Sequence, residues 1–355
     1  MKKTSLAILE RLIGSISPSG YEGEAIQVWR EEAATFASDI RSDSHGNCDV
    51  VIHPGGGPRV MLSGHVDEIG FLITHIDDKG FLWIEPVGGW DDQIPQGHQV
   101  TIRGKQGRVP GVIGKGPIHL MKKENRDKVT RIEEMWVDIG ADSRKSAEKL
   151  VSIGDPLVLS YGMTTLHGNF VAGRGFDNRA GAFVVLEAAR RLAAAHPKAE
   201  IHAVASVQEE IGLRGARTAA FGIDPQVGFA VDVTFATDHP SMGDATRRRG
   251  KIELGKGAVI TRGPNIHPKI FDLLVETARK QEIKHQIAAE ARPTGTDANA
   301  IQISRSGVAA GLVSIPNRYM HSPCELVHLD DLDACAELIA ATVLRIGPKL
   351  DLMPF

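Results

Sequence analysis

The chain has 355 residues, a formal net charge of -3, 42% apolar and 24% charged residues, and three cysteines. That length favours two domains and supports a large core, while the charge balance leaves no footprint for nucleic acid or an anionic membrane. No run is long enough to cross a bilayer, Glu10 and Arg11 break the apolar stretch behind Met1-Lys2-Lys3 that would otherwise imitate a signal peptide, and Cys48, Cys324 and Cys335 are too few for a disulfide framework, so a reducing cytoplasm fits. Leu6, Leu9, Leu12 and Ile13 recur at helical spacing before Gly14, and Ile26, Trp29, Ala33 and Phe36 form a second amphipathic helix. A short strand over 49–53 is closed by three glycines, and the next, over 59–63, runs into Gly64-His65-Val66-Asp67. From 71 to 160 the pattern changes to short β-type runs at close intervals, separated by glycine-rich turns; this predicts a small barrel or sandwich, with helical signal only over 144–151. A helix over 179–192, a strand from Ile201, a short helix over 216–221 and a strand over 227–231 then alternate as α/β units do. A helix over 268–283, a helix opened by Thr294-Gly295-Thr296-Asp297 and carrying Ile301 and Ile303, a strand over 311–315 and a helix over about 331–346 complete the chain. The expected architecture is α/β, with a mostly parallel central sheet flanked by helices. Residues 1–70 and 161–355 build that domain, and 71–160 form a β-rich insert.

Chemistry gathers at the ends of the strands. The apolar run Ala203-Val204-Ala205-Ser206-Val207 reads as a strand buried on both faces, and it runs through Gln208 into Glu209-Glu210. In open parallel sheets, ligands bind beyond the carboxyl ends of the strands. The same grammar puts His65 after one strand, Asp232 after another and His321 after a third, with Asp177 in the first turn of the helix that follows. Taken singly, these are a solvated glutamate pair, loop histidines and an ordinary acidic helix start. Taken together, two histidines, two aspartates and a glutamate pair are a ligand set for divalent metals such as zinc, cobalt or manganese.

Gly64-His65-Val66-Asp67-Glu68-Ile69-Gly70, Phe176-Asp177-Asn178-Arg179-Ala180-Gly181, the stretch from Val207 to Ala216, Asp232-Val233-Thr234 and His321-Ser322-Pro323-Cys324-Glu325 together resemble the M42 metallo-aminopeptidases. This is the glutamyl/leucyl/lysyl group that forms tetrahedral dodecamers. The resemblance runs nearly end to end. It implies a peptidase domain, an inserted oligomerisation domain and a two-metal site of zinc or cobalt, with manganese or magnesium as further candidates. By resemblance, Asp177 bridges the metals, His65 and Asp232 complete one, Glu210 and His321 complete the other, Glu209 is the general base, and Asp67 holds the His65 ring. Asn178 stands where many relatives have a second aspartate. The chemistry is coherent: one carboxylate bridges the cations while another stays free to carry the water's proton. Adjacent residues on extended backbone point to opposite sides, so a Glu-Glu pair at a strand end splits the two jobs.

The implied partners are peptides with a free N-terminus and copies of the same chain, as a dodecamer or else a dimer. Other readings stay open. A related dinuclear hydrolase (a deacylase or carboxypeptidase) has barely distinguishable site motifs. An endoglucanase calls for sugar-stacking aromatics, and aromatics are only 5% here. A structural zinc module calls for cysteine-rich ligation. Thr294, Gly295, Thr296 and Asp297 line the specificity pocket by resemblance alone. Arg247-Arg248-Arg249 reads as a solvated loop, or as a bias towards acidic N-terminal residues.

Overall fold

An eight-stranded mixed sheet organises the main body of the protein. The computed structural model describes residues 3–354, so Met1 and Lys2, part of the signal-like start, lie outside the described residues. The strands run in the order Asp39–Ser42, Cys48–Ile52, Ala199–Ser206, Gly57–His65, Val227–Phe235, Ala309–Asn317, Ala258–Arg262 and His285–Ala289. The four central strands, from Ala199–Ser206 to Ala309–Asn317, are mutually parallel, and the antiparallel pairings lie outside them. Those four are the apolar runs, and their residues are almost all buried, as strands covered on both faces must be. Helices Lys3–Ile13, Gly23–Ala33, Phe176–Ala195, Arg214–Ile223, Pro268–Lys280 and Leu329–Val343 cover the sheet and share its core.

The helix Phe176–Ala195 lies so close to the sheet that two positions have no room for a side chain. A Cβ on Gly64 would come within 2.7 Å of the Ala182 amide nitrogen, and one on Gly181 within 2.6 Å of the Val231 carbonyl oxygen. Trp29 Nε1 donates to the Ala182 carbonyl at 3.0 Å, which pins the helix Gly23–Ala33 against the same turn.

Between Gly57–His65 and Phe176–Ala195 in the chain, six strands close an antiparallel barrel: Gly70–Ile76, Leu82–Val87, Trp136–Asp138, Gly107–Gly114, Gln99–Gly104 and Pro156–Leu159. It has a core of its own, built on Phe71, Ile73, Leu82, Val100, Val137 and Leu157, separate from that of the main sheet. A third, three-stranded sheet joins Thr164–Thr165, Phe170–Gly173 and Glu325–His328. Local differences from the sequence reading are few. The helix in the barrel region is only Arg144–Ala147, and three-residue helical turns at Ile118–Leu120, Lys123–Asn125 and Ile132–Glu134 accompany it. Ile303 lies beyond the end of Asp297–Gln302 and is exposed. Arg247 to Arg249 end a short helix, Gly243–Arg249, instead of sitting in a loop.

Candidate metal centre

The central strands part at their carboxyl ends. Gly57–His65 pairs with Val227–Phe235 only as far as Ser63 opposite Ala230, whereas Val227–Phe235 stays paired with Ala309–Asn317 to its end. His65 and Asp232 face each other across the opening, with His65 Nε2 3.8 Å from Asp232 Oδ1. Open sheets of this kind put their ligand sites at such a divergence.

Asp177 enters from the side. Its φ and ψ are not helical and neither are those of Asn178, so the regular helix begins after them; the Asp177–Asn178 peptide is cis. Asp177 is thus on an irregular turn, not in the helical first turn that its position in the sequence predicts. Its two oxygens divide between the histidines. Oδ1 is 3.5 Å from His65 Nε2 and Oδ2 is 3.3 Å from His321 Nε2. Asn178 turns away, donating from Nδ2 to the Val231 carbonyl at 2.8 Å and accepting from the Gly181 amide at 3.0 Å.

The glutamate pair is not on extended backbone either. The strand ends at Ser206, Gln208 takes a left-handed conformation (φ 56°), and Glu209 and Glu210 sit in the loop that follows. They still separate: Glu209 Oε2 is 3.6 Å from His65 Nε2, and Glu210 Oε1 is 3.4 Å from His321 Nε2. Among the described residues, the groups of donor atoms that lie within 4.8 Å of one another are His65–Asp177–Glu210 and His65–Glu209–Asp232; neither includes His321, which approaches Asp177 and Glu210 instead.

Asp67 does more than the sequence indicates. The His65 ring donates from Nδ1 to the Asp67 backbone carbonyl at 3.2 Å, with the Asp67 carboxylate at 3.4 Å. The carboxylate itself accepts the amides of Glu209 and Glu210, at 3.0 and 3.1 Å, and the Ser19 hydroxyl at 2.6 Å. It therefore fixes the loop that carries both glutamates. Glu325 plays the matching part opposite, accepting the Asp177 amide at 2.9 Å on Oε2 and the His321 amide at 2.9 Å on Oε1. It is 2% exposed. Sequence reasoning gave Glu325 no role, although it closes the motif that opens at His321. Glu68 anchors the floor: Arg174 donates to it at 2.5 Å, and Arg179, wholly buried, pairs with it as well. The last unforeseen support comes from the barrel. His321 Nδ1 donates to the carbonyl oxygen of Gly89 at 2.8 Å. No side-chain signal announces a backbone acceptor.

Both rings thus donate from Nδ1 and turn Nε2 inwards, the orientation that suits a metal-ligating histidine. The charge balance also suits cations. Asp177, Glu209, Glu210 and Asp232 are nearly buried, and among the described residues their only ion pairs are with histidines. Burial, then repulsion from Asp177, raises Glu210 against the pull of His321, whose Nε2 lies 3.4 Å from its Oε1. Burial is also the main cause that pushes Glu209 up to about 10, and Asp232 well above the carboxylate range. Asp177 goes the other way: against its burial, the hydrogen bonds from His321 and His65 hold it well below the carboxylate range. So many carboxylate oxygens around two inward-facing imidazoles, with no Lys or Arg among the described residues paired to them, fit divalent cations.

The cluster forms the floor of a cleft of about 420 Å³, walled by Phe235, Thr261, Ala288, Pro293, Leu312 and Met320 among others. Thr294, Gly295 and Thr296 line it, as the resemblance implies. Asp297 does not: it is buried, and its Oδ2 accepts the hydroxyls of Ser63 at 2.8 Å and Ser206 at 2.6 Å. Of the three successive arginines only Arg249 reaches the cleft. Arg247 is largely in solvent, near Asp244.

The model of the M42 glutamyl aminopeptidase family matches residues 46–338 of this chain. The lysyl aminopeptidase of Pyrococcus furiosus is 40% identical over 354 residues, which cover 98% of this chain and 99% of that one. The crystal structure of a TET aminopeptidase from a marine-sediment Thaumarchaeota archaeon superposes with a TM-score of 0.91 at 30% identity, covering 98% of each chain. The TET1 peptidase of Pyrococcus horikoshii, described as assembling into a tetrahedron or a large octahedral shell, superposes with a TM-score of 0.86 at 32% identity, over 96% of this chain and all of that one.

Proposed function

This chain belongs to the M42 glutamyl aminopeptidase family, and from that premise we propose that it removes single amino acids from the free N-termini of peptides with two divalent metal ions and Glu209 as general base. The observation that supports the reading most is the division of Asp177: one oxygen faces His65 and the other His321, with Asp232 3.8 Å from the first ring and Glu210 3.4 Å from the second. His65, Asp232 and one Asp177 oxygen would hold the first ion, and His321, Glu210 and the other oxygen the second. Zinc or cobalt suits this mixed imidazole and carboxylate set, and manganese or magnesium are the alternatives. Two such ions, when bound, polarise a peptide carbonyl and lower the pKa of a shared water.

The residues of the chain do the rest. Glu209 takes the water's proton on its carboxylate and passes it to the departing amine. Its amide is held by Asp67, so the acceptor stays aimed while it changes protonation. A free α-amine on the substrate would bind a metal or a nearby carboxylate of the floor, which favours chain ends over internal peptide bonds. The barrel, residues 71–160 with its own core, we assign as an oligomerisation domain inserted in the peptidase domain of 1–70 and 161–355. A dodecamer is the favoured assembly and a dimer the alternative. Unpaired cysteines fit a cytoplasmic setting.

The test is a panel of aminoacyl chromogenic substrates, free and N-acetylated, on metal-stripped protein re-supplied with zinc, cobalt, manganese or magnesium. Stripping is expected to abolish hydrolysis, and the acetylated substrates are expected to resist. Equal rates on blocked and free termini would return the reading to a deacylase or carboxypeptidase. Sedimentation of the native protein as a monomer would remove the assembly.

A further inference from the structure

We infer that the Arg249–Glu290 ion pair leaves the cleft wall above the metal cluster without net charge, so that the enzyme prefers uncharged apolar N-terminal residues, and that loss of either partner shifts its preference towards side chains of charge opposite to the partner that remains. This rests on the aminopeptidase reading of the cleft. Outside the metal cluster, Arg249 and Glu290 are the only charged residues among the described ones that line it. Arg249 Nη1 is 3.1 Å from Glu290 Oε1. The remaining wall near them is apolar, with Phe235, Ala288, Pro293 and Leu312. An aliphatic side chain therefore finds contact surface without having to displace a charge.

Each partner is also held from outside the pair. The Arg249 guanidinium lies over the Phe235 ring, 4.6 Å from its centroid, and the Glu290 amide donates to the Arg262 carbonyl at 2.9 Å. Removing one partner consequently leaves the other in the cleft wall as a single uncompensated charge. The pair is partly solvated, with side chains 43% and 38% exposed, so it is cheap to open. A lysyl or glutamyl side chain can then be admitted by replacing one member, at a disadvantage to leucyl but without exclusion. The three successive arginines accordingly do not make the enzyme acid-specific. Only one of them reaches the cleft, and its charge is already matched.

The experiment compares kcat/KM for leucyl, lysyl and glutamyl chromogenic substrates in the parent enzyme, Arg249→Ala, Glu290→Ala and the double variant. The parent is expected to favour leucyl over both charged substrates. Arg249→Ala is expected to raise the lysyl-to-glutamyl ratio roughly five- to tenfold, and Glu290→Ala to lower it by a similar factor, the scale of one partly screened charge. The double variant is expected to return the ratio close to the parent's, which separates a charge effect from damage to the fold. Raised salt is expected to compress both single-variant shifts. A parent that prefers lysyl or glutamyl to leucyl overturns the inference, and so do single variants whose ratios stay put or move the same way. A parent inactive on all three free-amine substrates overturns the aminopeptidase reading, and the inference falls with it.

Discussion

Glu209 and Glu210 share a peptide bond yet face different histidines, 3.6 Å from His65 and 3.4 Å from His321. Glu209→Gln keeps the shape but loses the basicity. It is expected to lower kcat by roughly 10²–10⁴-fold with both metals retained. Glu210→Gln removes a proposed anionic ligand and is expected to leave one metal site under-occupied, partly rescued by excess metal. Metal analysis of the two purified variants decides, and the roles are exchanged if Glu209→Gln is the one that loses an ion. Glu325 touches neither metal nor substrate in this scheme; it sets the backbone of Asp177 and His321. In Glu325→Gln, one of the two amides meets an NH₂ group instead of an acceptor. Metal affinity, read by titration of the stripped protein, is expected to fall roughly 10–100-fold, the range for losing a group that orients ligands; unchanged affinity would leave Glu325 a purely structural residue. The proposed ligands were visible in the sequence because each follows a buried apolar run or opens a helix. Of the bracing, only Asp67 beside the His65 ring was read; its hold on the Glu209 and Glu210 amides and the whole part of Glu325 were not, because both act on backbone amides whose direction depends on irregular turns, such as the left-handed His321 at φ 60°.

Two glycines, Gly64 on the strand that ends at His65 and Gly181 facing Val231 on the next strand, decide how closely the helix Phe176–Ala195 approaches the sheet. A Cβ on Gly64 meets backbone, which cannot swing aside as a side chain would. Gly64→Ala is expected to destabilise the protein by about 1–3 kcal/mol, the cost of an overpacked methyl, and to disturb His65 next to it. A Tm unchanged from the parent in thermal unfolding would mean that the helix can retreat. At this scale the sequence was readable where burial imposes a pattern. The four central strands are continuous apolar runs, and the barrel strands are short runs between glycine turns. The outer strands Asp39–Ser42 and His285–Ala289 are half-buried or exposed, with no clean alternation, and Trp136–Asp138 is only three residues long. Such segments are strands because a neighbour offers an edge, which no local pattern records. The alternation argument for Glu209 and Glu210 failed for a related reason. It assumed that the strand runs on to them, whereas it ends at Ser206 and the left-handed Gln208 then turns the chain.

Across the whole molecule, the acidic cluster links stability to pH and to metal. In the metal-free protein, burial first, with Asp232, Asp297 and Glu210 adding to it against His65, lifts Glu209 from its ordinary 4.5 to about 10. A raised folded-state value means that the folded chain holds this proton more tightly than the unfolded one. Its stabilisation is complete below the ordinary value and is lost as pH climbs towards 10. His321 acts in the same sense. Burial opposes its charge, but Asp177 and Glu210 outweigh that and push it up to about 11. Asp177 is depressed, so its contribution changes only in acid, below the ordinary carboxylate range. The Tm of chelated protein is therefore expected to fall steadily between about pH 5 and 9, and the metal-loaded protein is expected not to follow it. A metal-free Tm that stays flat or rises over that interval would contradict the assignment. The hydrogen bond from His321 to the Gly89 carbonyl has a different consequence. It makes the barrel a part that the rest of the chain cannot do without. Cutting out residues 71–160 and sealing the gap with a short linker would not liberate a working minimal enzyme, because the imidazole would lose the acceptor that selects its tautomer. A barrel grafted from a relative would have to bring the segment around Gly89 in register, and recombination between such proteins is confined to junctions that keep that segment and His321 from a single parent.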